Sequence, residues 1–157
     1  MARPTSPLDD TASATILASR SLLGYVVRSL APALEELTLV QFRALVVLDG
    51  HEGARMSDVA ARLGVHPSTL TRTIERLEAG GWVTRTSVEG NRREVRVDLT
   101  PRSRDLVAQV TRRRRADIAG TLATMSADDR EAVRRGMELF AAAAGEAAPD
   151  ELLELGL

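Results

Sequence analysis

The sequence predicts a mainly helical chain carrying one small β-hairpin, and three observations do so. Six segments carry the apolar spacing and the start and stop residues of helices. Two short β-branched runs, 82–86 and 95–99, face each other across the turn residues Glu89-Gly90-Asn91. Between helices and hairpin, the stretch GVHPSTLTRTIERLEAGGWV from Gly64 to Val83 reads as the turn and second helix of a helix-turn-helix.

Taken in order, Met1 to Asp10 is Pro- and Ser-containing and reads as loose. Ala12 to Leu30 is a helix ended by Pro32, and its apolar face (Ile16, Leu17, Leu22, Leu23, Tyr25, Val26, Val27, Leu30) is broader than a small domain can cover, which points to subunit contact. Thr38 with Gln41 is a capping box opening a helix from Leu39 to Leu48, before Gly50. His51-Glu52-Gly53 is a loop. A short helix then runs to Leu63, with Ser57 as N-cap, Val59, Ala60 and Leu63 inward, and Gly64 as its stop.

The next helix spans Pro67 to Ala79. Pro67 suits the first helical position, where an N–H would have no partner, and Gly80-Gly81 ends the helix. At roughly 100° per residue, Leu70, Ile74 and Leu77 form one apolar stripe. Ser68, Arg72, Glu75 and Arg76 point away from it, flanked by Thr69 and Thr71. Short hydroxyl side chains at the N-terminal end can approach base edges and phosphates, and arginine can hold guanine O6 and N7 with two hydrogen bonds. An ordinary amphipathic surface helix would share the pattern, so its surroundings decide. They include a hairpin wing, with Val95, Val97 and Leu99 inward and Arg92 and Arg93 at its tip, where arginine can enter a narrow minor groove.

Thr100-Pro101 opens a long helix to about Met125, in which the consecutive arginines Arg112 to Arg115 wrap the helix and read as solvated or ion-paired. Ser126 and Asp129 open a last helix to Ala144, ended by Gly145 and again more apolar than a monomer needs. The tail, with Leu152, Leu153, Leu155 and Leu157, either packs on a partner subunit or frays. The expected architecture is a winged helix-turn-helix over residues 37–100, with helical dimerisation extensions from both termini in 1–36 and 101–157.

At 157 residues, 44% hydrophobic and 27% charged, the chain is globular. It shows neither a signal peptide nor a membrane span, so a cytoplasmic protein with no membrane partner is expected. With no cysteine, disulfides, thiolate metal sites and thiol redox sensing are excluded. All 21 basic residues are arginine, which is most simply explained by a high-GC bacterial genome rather than by a functional demand. His51 and His66 are too far apart for a metal motif and read as surface residues; no metal and no cofactor is expected. Net charge is −1, but 55–104 carries 10 arginines against 6 acids, +4, and the remainder is −5. Positive charge gathers around the helix-turn-helix, as a polyanion-binding face requires.

Three blocks, LTLVQFRALVVL from Leu37, VHPSTLTRTIERLEAGGWVTR from Val65 and NRREVRVDLT from Asn91, stand in the order and spacing of the MarR family of bacterial winged-helix transcriptional regulators, which the chain resembles over nearly its whole length. The resemblance implies a homodimer that binds double-stranded DNA at a pseudo-palindromic operator, with a small, often aromatic or phenolic, effector at the junction of dimer and DNA-binding parts. It implies Ser68, Thr69, Thr71, Arg72 and Arg76 in the major groove and Arg93 in the minor groove. Repression is the commoner role. The sequence departs from the family in two places. Asn91 stands where an aspartate usually braces the wing arginine, which implies a looser wing. Ser103 stands where a glycine is usual, with little consequence expected.

No effector residues are assigned: Tyr25, Phe42 and Trp82 are each expected in the core. The absence of cysteine excludes the peroxide-sensing branch. A winged-helix protein-interaction module without specific DNA binding is the alternative, and it would need a more apolar face around Arg72. An enzyme is not expected, since no nucleophile and base pairing, metal spacing or phosphate loop occurs.

Overall fold

The computed structural model describes residues 6–51, 55–88 and 91–144, with 87, 88 and 91–94 described by their backbone. Six helices and two strands follow in the order α1 (Pro7–Leu34), α2 (Leu39–Gly50), α3 (Met56–Leu63), α4 (Pro67–Ala79), β1 (Val83–Val88), β2 (Asn91–Leu99), α5 (Pro101–Ala123) and α6 (Ala127–Ala144). None of these helices is long and apolar enough to cross a membrane.

The first helix corrects the sequence reading at both ends. Ser6 caps it through a capping box: its hydroxyl accepts from the Asp9 N–H at 3.2 Å, and the Asp9 carboxylate accepts from the Ser6 N–H at 3.2 Å. Residues 6–10 are therefore not loose, and 1–5 of the stretch read that way lie outside the described residues. Pro32 lies inside the helix, which continues to Leu34. Proline costs one backbone hydrogen bond there, and Leu30 and Ala33, both buried against the core, hold the last turn in place.

Helix α2 is the centre of the molecule. Its Thr38 and Gln41 form the expected capping box, and six consecutive or near-consecutive residues (Phe42, Ala44, Leu45, Val46, Val47, Leu48) are buried. A helix apolar all round must be surrounded, and α1, α3, α4, α5 and β2 pack around it. Each fully buried Phe or Leu here contributes about 1.5–3 kcal/mol of transfer free energy before entropy is counted. Ser57 is not the cap of α3. Arg55 holds that position without a side-chain capping bond, because the helix begins two residues earlier than a Ser57 cap would place it, and the Ser57 hydroxyl turns to Asp58 instead. Gly64 ends α3 at φ 65°, a left-handed conformation that costs only glycine little.

Strands β1 and β2 pair antiparallel from Val83 with Leu99 to Ser87 with Val95, then shift register so that Val88 faces Asn91. Asn91 therefore belongs to the strand rather than to the turn, of which residues 89 and 90 lie outside the described residues. Val97 and Leu99 face the core, Val95 packs against it, and Arg96 faces solvent, as the alternation requires.

Helix α5 opens as expected, Thr100 capping Ser103, and ends at Ala123, two residues short of the expected end. Ser103 proves consequential: it is fully buried, and its hydroxyl donates to the Trp82 carbonyl and lies 3.0 Å from that of Thr100. Thr100 also donates to the Trp82 carbonyl through its own N–H, at 3.1 Å, so the start of α5 is stitched to the base of the hairpin. Further along, α5 packs on α1. There Arg114 donates through Nε to the buried Ser29 hydroxyl at 3.2 Å, and burial pulls its guanidinium below the ordinary arginine range. Of the four consecutive arginines, Arg114 alone is half-buried; Arg112, Arg113 and Arg115 are exposed.

No residue of α6 is buried. Ser126 caps it by accepting from the Asp129 N–H at 3.1 Å, and Arg134 bonds Glu131 and Glu138 of the same helix. Arg134 holds the Glu131 carboxyl below the usual carboxylate range. Met137, Leu139 and Phe140 are exposed, as are Ile16, Leu17 and Leu23 of α1. Between α1, α5 and α6 lies an apolar cavity of about 510 Å³, lined by Leu22, Tyr25, Ile118, Leu122 and Met137 among others. Residues 145–157, including the leucine-rich tail, lie outside the described residues.

Candidate nucleic-acid interface

Helix α4 spans the expected residues. Leu70, Ile74 and Leu77 are sealed at 1% exposure or less, and Thr73 joins them at 8%, its hydroxyl donating to the Thr69 carbonyl at 2.9 Å. Four buried residues in two and a half turns fix the rotation of the helix about its axis. The opposite face then has no choice: Ser68, Thr69, Thr71, Arg72, Glu75 and Arg76 are all exposed. Thr71 donates to the Pro67 carbonyl at 3.0 Å, which leaves its oxygen lone pairs able to accept. Arg72 and Arg76 make no ion pair among the described residues, so both guanidinium groups keep their five donors for another partner.

The far end of α4 is anchored to the hairpin. Arg85 of β1 pairs with Glu78 at 3.6 Å, and Trp82, 5% exposed, fills the corner between α4, β1 and α5. Gly80 is needed at that corner because a Cβ there would come within 2.8 Å of Trp82 Cδ1. Arg92 and Arg93 occupy the distal end of β2 rather than a loop; their side chains, and the Asn91 amide, lie outside the described residues.

One member of this face was missed in the sequence. His66 is the N-cap of α4: its Nδ1 accepts from the Ser68 N–H at 3.3 Å and lies 2.9 Å from the Ser68 hydroxyl. The position was legible, directly before Pro67, but histidine is not among the usual capping residues. Of the three aromatics expected in the core, Phe42 and Trp82 are there, at 1% and 5% exposure. Tyr25 is not: it lines the 510 Å³ cavity, its hydroxyl 2.5 Å from that of Thr121, with Arg28 stacked 4.9 Å from its ring centroid.

A short helix, a three-residue turn, a second helix with a fixed polar outer face, and an antiparallel hairpin directly after it define a winged helix-turn-helix. The family model described as "MarR family" matches residues 37–95, the stretch from α2 into β2. Over 93% of its length the chain is 35% identical to RV1404 from Mycobacterium tuberculosis, covering 100% of that crystal structure with a TM-score of 0.83. It is 27% identical over 108 residues to the HTH-type transcriptional regulator YfiV of Bacillus subtilis, 69% of this chain and 68% of that one. The fold also matches Streptococcus pneumoniae FabT, solved in complex with DNA, at 19% identity and a TM-score of 0.66 over 86% of this chain and 94% of that one. The chain belongs to the MarR family of transcriptional regulators. These are regulators rather than enzymes.

Proposed function

We propose that two copies of the chain bind a pseudo-palindromic DNA operator and repress transcription from it in the cytoplasm, until a small aromatic or phenolic effector lowers their affinity. The single observation that carries the DNA-reading part is the outer face of α4, where hydroxyls lie at the N-terminal end and two arginines without ion pairs follow on the same side. Ser68, Thr69, Thr71, Arg72 and Arg76 enter the major groove; Arg92 and Arg93, carried on the distal end of the hairpin, contact the minor groove beside it. FabT, which shares the fold, has been solved bound to DNA, which supports the same use here. The protein-interaction alternative is less well supported, because the face around Arg72 is polar and charged.

Residues 37–100 form the DNA-binding part in this proposal, and 1–36 and 101–157 form the dimer. The exposed apolar side chains of α1 and α6, together with the cavity between α1, α5 and α6, support that division: a lone chain leaves Leu17, Leu23, Leu139 and Phe140 about 60% exposed. The test is an electrophoretic shift of DNA from upstream of the protein's own coding region, with and without salicylate-like phenolic acids. Binding to one site within that DNA, resistant to excess random DNA and weakened by a phenolic acid, is the expected result. Equal binding to all DNA would remove the operator from the proposal, and indifference to every effector would remove the switch.

A further inference from the structure

We infer that His66 sets which bases Ser68 can read. The inference rests on the proposed DNA-reading role of α4 and goes beyond it by fixing the hydrogen-bonding state of one of its contacts. The argument begins with a group that can only donate. The Ser68 backbone N–H points at His66 Nδ1, 3.3 Å away, so Nδ1 must carry a lone pair and the ring proton must be on Nε2. The Ser68 hydroxyl lies 2.9 Å from the same Nδ1. Since Nδ1 has no proton to give, the hydroxyl is the donor, and it shares the single Nδ1 lone pair with the Ser68 N–H, the hydroxyl holding the shorter branch.

Ser68 thus spends its one hydroxyl proton inside the protein and shows only lone pairs to the groove. Phosphate oxygens are acceptors too, so Ser68 in this state cannot bind the DNA backbone. What it can accept from is an exocyclic amino group, N4 of cytosine or N6 of adenine, and it disfavours the keto edges of guanine and thymine, which need a donor. Two of the helix's first-turn groups, the Ser68 N–H and hydroxyl, are held by one imidazole. His66 is therefore a positioning residue that acts through Ser68, and it leaves its own Nε2–H free to donate at the exposed start of α4.

Two measurements test this. In the free protein, the ¹⁵N shifts of the His66 ring at neutral pH should show an unprotonated Nδ1 and a protonated Nε2; a protonated Nδ1 would overturn the inference without any DNA. For readout, the bases selected from a randomised DNA pool are compared for wild type, Ser68→Ala, His66→Ala and His66→Asn. The position contacted by Ser68 is the one whose preference Ser68→Ala erases. Wild type should favour adenine or cytosine there by about threefold to tenfold, the worth of one hydrogen bond. His66→Ala should free the hydroxyl to donate and flatten that preference. His66→Asn, whose side-chain oxygen can accept both Ser68 donors, should restore it. A wild-type preference for guanine or thymine, no position erased by Ser68→Ala, or a preference that survives His66→Ala each overturns the inference while leaving DNA reading by α4 intact. A wild type that selects no sequence at all fails the DNA-reading proposal instead.

Discussion

Arg102 lies flat over Trp82, its Cζ 3.8 Å from the ring centroid, and reaches past it to Glu36 in the connection between α1 and α2. One guanidinium thus joins three parts of the chain: the end of the first helix, the base of the hairpin and the first turn of α5. Its side chain is about half exposed, so the ion pair with Glu36 is worth little and stacking accounts for most of its effect.

Replacing Arg102 by alanine should lower stability by about 1 kcal/mol. Arg102→Lys should recover less than half of that, since an ammonium can still approach Glu36 but presents no plane to the ring. Urea denaturation followed by Trp82 fluorescence measures both. Equal stability of the lysine variant and wild type would mean that the ion pair, not the stack, carries the contact.

The buried Ser103 makes a second expectation specific. Ser103→Ala should cost about 1 kcal/mol, because the Trp82 carbonyl still accepts from Thr100 and no buried acceptor is orphaned. Ser103→Val should cost more, since the site has no room for extra methyl groups. Thermal unfolding of the two variants side by side decides; a valine variant as stable as alanine would show slack at this joint.

How legible these features were in the sequence depended on whether the chemistry was local. The extent of α4 was plain because Pro67 and Gly80-Gly81 mark its ends, and Leu70, Ile74 and Leu77 leave one way to turn it. The gathering of Ser68, Thr69, Thr71, Arg72 and Arg76 on one exposed face follows from the same stripe. The start of α1 is ambiguous in the sequence: Ser6, Pro7 and Asp9 carry a full capping box, but the same Pro and Ser content suits a loose terminus. Ser103, Tyr25 and the central position of α2 could not be read at all: each depends on a partner far along the chain. For Ser103 that partner is the Trp82 carbonyl, for Tyr25 it is Thr121, and α2 is central because five other elements surround it.

On the face proposed to meet DNA, Arg72 stands mid-helix without an ion pair among the described residues. Arg72→Ala should weaken binding to the operator by about 1–3 kcal/mol and change binding to random DNA much less. Fluorescence anisotropy on both DNAs at one salt concentration gives the comparison. Equal losses on the two would assign Arg72 to the phosphate backbone.

The central claim is that two chains must act together, and it rests on side chains that one chain leaves bare. Leu23 and Phe140 are 60% and 58% exposed and belong to no buried core, so an arginine at either place disturbs the fold of one chain little. The region 55–104 brings only +4 to the DNA, too little for tight binding by one copy. The most direct measurement pairs the sedimentation mass of the wild type, Leu23→Arg and Phe140→Arg with their affinity for full and half operators. The account predicts a wild-type dimer that binds the full operator at least a hundredfold more tightly than a half-site, an advantage on the order of that gained by linking two sites. It predicts folded monomeric variants that have lost this advantage. A wild-type monomer that binds the half-site as tightly as the whole operator would contradict it.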